Sequence, residues 1–484
     1  MSIALSAVAM ALSAPEALGR VNHSVEIVVT SATMNQALTR LSDTPVGPAP
    51  PAGVPLIHVN DAVRYQRVGG VGAAMSDSSA WLIHDQLGPA ARNSLMKSLF
   101  GSSGLGLNFI RVPMGATDFT AARRPYTYDD LPRGRRDPKL ARFSVAHDRA
   151  YIVPLLRQAL ALNPRATVLA NPWSPPGWMK ANGRLDNRAH SGRLLSFAYA
   201  PLASYFVKFI QAYARAGIHV GAITPQNEPS NATRYPGMEF SEPAEAGWIV
   251  HYLRPALRAA GLRPQIYGYD YGWSMASAGF AGRLVRSRVA TSLTGIASHC
   301  YFGAPGLISS LHRMNPRLDE IVTECSPGIT PFATSELLIS SIRNWASTVA
   351  LWNLALDRHG GPVQPPNDGC PNCTGVVTVD PATHTFTPTL DYFQLGQFSR
   401  FVHPGAVRIA SEHFVRYRYV RRGADIATPG LDDVAFVNPD GSKVLLAYND
   451  STVTQVFAVE SRGRTFTAQL PPGMTATFIW DRPR

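Results

Sequence analysis

Eight short runs rich in apolar and β-branched residues recur through the middle of the chain. They are Val68–Val71, Leu107–Val112, Thr167–Leu169, His219–Ile223, Gln265–Tyr269, Gly295–Ser298, Ile321–Thr323 and Thr348–Leu351. Amphipathic stretches fall between several of them, for example Tyr151–Leu162, Tyr199–Ala216 and Glu245–Ala260. In the second of these, Tyr205, Phe206, Phe209, Ile210 and Tyr213 keep spacings of three and four, which is one face of a helix. Buried strands alternating with helices predict a parallel α/β fold, and eight such units suggest a closed (β/α)8 TIM barrel. An open, doubly wound sheet fits the same alternation.

The residues just past each run favour the barrel. Asp77 lies a few residues past the first, Arg111 is near the end of the second, and Trp173 comes after the third. Asn227 and Glu228 come after the fourth, Asp270 after the fifth, His299 and Tyr301 after the sixth, Glu324 after the seventh and Trp352 after the eighth. A barrel gathers its site from the C-terminal ends of all its strands, whereas an open sheet concentrates it at one switch point. Beyond Pro404 the helical patterns stop. Short β-prone runs take over, separated by turns such as Asn438-Pro439-Asp440-Gly441 and Pro471-Pro472-Gly473, and predict an attached all-β sandwich domain. Near the N-terminus, Val25–Thr30, Ile57–Val59 and Tyr65–Val68 read as strands without partners of their own, so they are expected to pair into that sandwich. The expected organisation is a candidate signal segment over 1–24, strands joining the sandwich over 25–66, the catalytic barrel over 67–403 and the C-terminal sandwich over 404–484.

Composition narrows the function classes. With 45% hydrophobic and 16% charged residues, the chain has the makings of a large core. Its formal charge of +12 is mostly dispersed, which suits contact with an anionic surface better than a dedicated nucleic-acid site. The local clusters are Arg133, Arg135 and Arg136, and Arg416, Arg418, Arg421 and Arg422 interleaved with Tyr417 and Tyr419; the second alternates as a strand with one solvated face would. Met1–Ala17 resembles the apolar region of a secretory signal, although no basic residue precedes Arg20, and an extracellular location is expected. Cys370 and Cys373 form a C-x-x-C in a Pro/Asn/Gly loop. Cys300 and Cys325 do not supply the second pair a zinc site needs, so a loop-stapling disulfide is expected there. No metal-ligand spacing and no phosphate-cradling glycine loop occurs, so neither metal nor cofactor is expected.

Two stretches carry the chemistry. Ala222-Ile223-Thr224-Pro225-Gln226-Asn227-Glu228-Pro229 and Ile321-Val322-Thr323-Glu324-Cys325-Ser326-Pro327 each deliver a glutamate from an apolar strand into a proline turn. Two carboxyl groups facing each other at strand ends are the minimum equipment for cleaving a glycosidic bond.

With these, Gly69-Gly70-Val71-Gly72-Ala73-Ala74-Met75-Ser76-Asp77, Phe109-Ile110-Arg111-Val112-Pro113-Met114-Gly115, Asn171-Pro172-Trp173-Ser174-Pro175-Pro176-Gly177-Trp178-Met179-Lys180 and Leu351-Trp352-Asn353-Leu354-Ala355-Leu356 make the chain resemble the glucosylceramidase-type glycoside hydrolases of family 30. The resemblance implies a retaining β-glycosidase with Glu228 as general acid/base and Glu324 as nucleophile. It further implies Asn227 on the sugar's 2-hydroxyl, Asp77 on other sugar hydroxyls, and Trp173 and Trp352 as pocket walls. His299 and Tyr301 are candidates to orient the nucleophile. The pattern departs after His299, where Cys300 stands in place of an aromatic residue of the lysosomal-type enzymes, so the pocket rim is not carried over. The expected substrate is a β-glucoside, glucosylceramide-like glycolipids included. The alternatives are a β-1,6-glucanase, a β-xylosidase, or a carbohydrate-binding protein without activity.

Overall fold

The computed structural model describes residues 24–47, 52–330, 332–364, 370, 372–411, 417–418, 426–427 and 430–482, without the side chains of 275–278, 417–418 and 426–427. The leader-like Met1–Ala17 and most of the basic run around Arg416–Arg422 therefore lie outside the described residues.

Eight parallel strands close into a barrel, in the order expected from the sequence: Gly70–Ala74, Phe109–Pro113, Thr167–Asn171, Val220–Ile223, Gln265–Gly272, Gly295–His299, Asp319–Glu324 and Ala346–Leu351. The ring shuts where the eighth strand pairs with the first, Thr348 opposite Gly70 through Leu351 opposite Ala73. Phe109, Leu169, Ala222, Tyr267, Ala297, Ile321 and Ala350, one from each strand after the first, form a separate cluster that fills the barrel interior. The first strand is made of small residues for a steric reason. A Cβ on Gly72 would sit 1.7 Å from the Phe109 carbonyl oxygen, so a side chain there would push its neighbour strand away. One helix departs from its expected form. The stretch expected as Glu245–Ala260 is Glu242–Trp248, a π turn over Ile249–Leu253, and Arg254–Ala259. Pro255 has no N–H for the carbonyl four residues back, and the widened turn just before it absorbs that missing bond.

Both chain ends build the sandwich. In its larger sheet, Ser24–Thr30 lies between Thr39–Arg40 and Thr475–Trp480, followed by Lys443–Asn449, Leu431–Val437, Val407–Ala410 and Asn60–Arg67. The smaller sheet orders Arg464–Leu470, Gln455–Ser461 and Leu56–His58. Val25, Ile27, Val29, Phe457, Phe478 and Trp480 belong to the apolar cluster packed between them. Among the described residues no helix is long and apolar enough to cross a membrane.

Barrel and sandwich are joined by buried polar contacts. Gln397, on the barrel-side helix Leu390–Ser399, donates to Thr30 Oγ1 at 2.8 Å and accepts from Thr477 Oγ1 at 2.6 Å. All three side chains are fully buried. Gln397→Ala removes both side-chain contacts at once, leaving Thr30 Oγ1 with the Leu38 N–H and Thr477 Oγ1 with the residue-397 carbonyl. The expected loss is about 2–3 kcal/mol of unfolding free energy, read as a lower urea midpoint at unchanged slope.

Candidate active site

The fifth barrel strand is where the site is organised. Its pairing with the sixth shifts register between Tyr269 and Tyr271, and Tyr269 and Asp270 both hold positive φ, 76° and 54°. Such backbone is rare for residues with a side chain and persists only where the surroundings enforce it. Here the bulge accompanies a carboxylate that is saturated with donors. Asp270 Oδ2 accepts from Arg111 Nη2 at 3.1 Å, Asn171 Nδ2 at 3.0 Å and Thr224 Oγ1 at 2.7 Å. Asp270 Oδ1 accepts from Thr323 Oγ1 at 2.6 Å and lies 3.2 Å from His299 Nε2. These partners come from the ends of the second, third, fourth, seventh and sixth strands. Burial alone would raise the Asp270 carboxyl, but Arg111 and His299 outweigh it and hold it well below the usual carboxylate range.

Arg111, with no exposed surface, carries the arrangement forward. Its Nη1 donates to Glu324 Oε2 at 2.5 Å and its Nη2 to Asn227 Oδ1 at 2.7 Å. Its guanidinium lies over the rings of Trp173 and Trp352, 4.7 and 5.6 Å from their centroids. The two rings stack on each other at 5.0 Å and are each only 2% exposed, so they back the arginine.

The two glutamates meet around His299. Glu228, itself at positive φ and tied by its N–H to the Asp270 carbonyl, places Oε1 3.1 Å from His299 Nδ1. Its Oε2 accepts from Asn231 Nδ2 at 2.6 Å. One carboxylate oxygen of Glu228, one of Glu324 and a ring nitrogen of His299 all lie within 4.8 Å of one another. The Tyr301 hydroxyl hydrogen-bonds Glu324. Burial pushes the Glu324 carboxyl up, His299 and Arg111 pull it back, and Glu228 adds to the rise. Burial would lower His299, but Glu324, Asp270 and Glu228 together lift it to about 9, so the imidazole is a cation at neutral pH.

The fold thus brings together Glu228, Glu324, Asn227, His299, Tyr301, Trp173 and Trp352, while the Asp77 carboxylate is engaged by groups from the loop after the second strand and the helix that follows it. Asp77 is 1% exposed in the first turn of a helix capped by Ser76, and protein groups surround its carboxylate. Oδ1 accepts from the Ala121 N–H at 2.7 Å; Oδ2 accepts from Tyr126 and Tyr151 hydroxyls at 3.0 and 2.7 Å and lies 2.6 Å from His147 Nε2. It pins the loop after the second strand. The carboxylate that the sequence reading missed is Asp118, half-buried on that same loop. Burial, with the charges of Glu324 and Glu228, pushes its carboxyl up to about 8. Tyr235 was missed too; its hydroxyl lies in the field of Glu228, Asp118 and Glu324. Asp118 sits a few residues past the end of the second strand, which is the signal that could have found it, whereas Tyr235 lies well out in the loop after the fourth.

With this geometry in view, the comparisons with known proteins converge. The family model of the glycosyl hydrolase family 30 TIM-barrel domain matches residues 68–402, and that of the family's beta sandwich domain matches residues 405–478. The chain belongs to glycosyl hydrolase family 30. It is 33% identical over 395 residues to the endo-1,6-beta-D-glucanase of Neurospora crassa, covering 80% of this chain and 79% of that one. It is 29% identical to the lysosomal acid glucosylceramidase of Mus musculus, covering 88% and 84%. The solved structure of the endo-beta1,6-glucanase BT3312 superposes with a TM-score of 0.80 at 27% identity, over 95% of this chain and 100% of the other.

In this member of family 30, a disulfide joins Cys300 to Cys325, the residues directly after His299 and Glu324. Cys370–Cys373 is also bonded, as its loop setting suggests. The Cys300–Cys325 bond is buried and ties the ends of the sixth and seventh strands together, behind the histidine and the glutamate that they deliver. Cys300→Ala/Cys325→Ala should lower kcat on an aryl β-glucoside about ten- to a hundredfold with KM changed far less, because small misplacements of reacting groups cost that much. An unchanged kcat would discard the clamp.

His299 also sets a pH dependence. Its folded pKa lies above its ordinary 6.5, so the stabilisation is complete below about 6.5 and is lost as pH rises through about 9. Over that window the wild type should lose up to about 3 kcal/mol relative to His299→Gln, seen as converging Tm values.

Proposed function

We propose that the protein is a retaining β-glycosidase that cleaves β-1,6-glucan internally, with Glu324 as nucleophile and Glu228 as acid/base. The observation that carries the mechanism is the 4.8 Å limit on the Glu228–His299–Glu324 cluster. Retaining enzymes hold their two carboxyl groups about 5–5.5 Å apart, whereas inverting ones need room for a water between them. Charge assigns the roles. Arg111 and His299 supply two positive charges, matched by Asp270 and by Glu324, which Arg111 grips directly. The remaining carboxyl, Glu228, is the one placed to carry the catalytic proton.

In the first step a Glu324 oxygen bonds to the anomeric carbon as the bond to the leaving oxygen breaks, and Glu228 gives that oxygen its proton. Ester formation consumes the charge on Glu324. Glu228, now ionised, takes a proton from water, whose oxygen displaces Glu324 and restores the free carboxylate. Asn227, held by Arg111, offers its amide N–H groups to the sugar, and Asp118 offers its carboxyl.

The choice of β-1,6-glucan over glucosylceramide rests on the relatives. Three endo-1,6-β-glucanases share 33%, 31% and 30% identity with this chain, against 29% for the mouse glucosylceramidase. The position after His299 points the same way, since a cysteine locked in a disulfide gives the rim no aromatic face there. The paired disulfides suit an oxidising compartment and so support export.

Wild type should release gentio-oligosaccharides from β-1,6-glucan and leave glucosylceramide in detergent essentially untouched. Glu324→Gln should cost at least about 10³-fold in kcat/KM, and Glu228→Gln about 10²–10⁴-fold on substrates whose leaving group needs a proton. Turnover of the lipid alone would reverse the substrate choice; full activity in Glu324→Gln would remove the mechanism.

A further inference from the structure

Beside the pocket runs a groove of about 730 Å³, walled by the loops after the second, third and fourth strands. Tyr235 joins the two spaces. It lines the groove and also packs against the cluster containing Trp173 and Trp352. On the far side, Gln364 lines the groove and donates its backbone N–H to the Asp118 carbonyl at 2.8 Å. The groove therefore adjoins the site, with Tyr235 in the wall between them.

Its chemistry differs from that of the pocket. Five arginines line it, at 124, 133, 184, 188 and 234, against two aspartates. Both aspartates are already engaged. Asp130 accepts from the Thr127 N–H and Oγ1, each at 2.6 Å, and Asp186 holds Arg184 at 2.7 Å with Arg188 at 3.8 Å. Arg124, Arg133 and Arg234 are exposed, and none of the three has a carboxylate partner among the described residues. Trp178 presents the wall's aromatic ring, its Nε1–H fixed by Asp129.

A neutral glucan would leave these charges unanswered. We propose that the groove is the outer part of the substrate cleft and binds acidic groups, carboxylate or phosphate monoester, borne by a glycan whose neutral unit occupies the pocket. Planar guanidinium groups recognise both anions with paired hydrogen bonds, and the tryptophan ring suits the C–H face of the sugar that carries them. The proposal rests on the glycosidase reading for the occupant of the pocket.

The test is calorimetric titration of the full-length Glu324→Gln protein, whose turnover of the ligand is slowed at least about 10³-fold. Three ligands are compared: gentiotetraose, the same chain ended by a glucuronate, and the same chain ended by a phosphate monoester. Either acidic chain should bind about tenfold tighter than the neutral one at low salt, as a few exposed charge pairs allow, and the stronger of the two identifies the source of the anion. The advantage should shrink as salt is raised through about 0.3 M, an arm that needs no further substitution. Adding Arg124→Gln, Arg133→Gln and Arg234→Gln should abolish the ratio between acidic and neutral chains. Equal affinities at low salt, or a ratio that survives the triple substitution, would overturn the proposal. So would a DNA duplex that binds as tightly as the acidic chains, because the groove would then be reading charge alone. Hydrolysis of neutral β-1,6-glucan by wild type is scored separately: its failure removes the glucanase reading, whereas equal affinities with hydrolysis intact remove only the acidic glycan.

Discussion

Everything at the top of the barrel is referred to one buried ion pair. Arg111 and Asp270 face each other with no exposed side-chain surface, at 3.1 Å. A pair so completely removed from water is costly unless every remaining donor and acceptor is used. Here Asp270 is surrounded from five other strands, and Arg111 directs its remaining hydrogen-bonding capacity mainly to Glu324 and Asn227. The pair works less as a source of stability than as a fixed origin from which the site is measured. Glu324, Asn227 and the histidine between the glutamates all take their positions from it. That dependence accounts for the two consecutive strained residues in the fifth strand. A regular strand would alternate its side chains and point Asp270 or its neighbours elsewhere; the bulge supplies one inward carboxylate at the cost of local strain.

The electrostatics follow from the same frame. Three carboxyl groups and two cations share a volume almost closed to water, so each lies in the field of the others. His299 stays charged because three acids surround it, and its charge in turn faces both glutamates. In the proposed mechanism the charge moved during the reaction is exchanged between Glu228 and Glu324, while Asp270, Arg111 and His299 hold still.

Much of this was legible in the sequence, and the part that was not has physical reasons. Strand existence and order could be read because both faces of a barrel strand are covered, which leaves continuous apolar runs such as Ile321–Thr323. The glutamates could be read because each lies between such a run and a proline. The burial of Asp77 was not legible because Ser76-Asp77-Ser78-Ser79 has the composition of a loop that touches solvent, whereas its carboxylate is bonded by Tyr126, Tyr151 and His147 from farther along the chain. Asp118 was passed over for the complementary reason: Ala116-Thr117-Asp118 has no local pattern, and its value comes from what lies opposite. The Cys300–Cys325 bond was likewise invisible as a pair, since the partners approach only when two adjacent strands align.

The sandwich has a consequence for how the molecule is made. Its strand Ser24–Thr30 lies second from the edge of the larger sheet, yet its long neighbour there, Thr475–Trp480, is at the opposite end of the chain. On a ribosome, or while threading through a translocon, the early strand emerges with its pairing edge bare and must wait for nearly all the rest to be synthesised. The barrel can assemble from local βα units during that interval, but the sandwich is a closing event. Its completion registers that the whole chain has arrived, and until then the β-rich N-terminal segment is the part most in need of a chaperone.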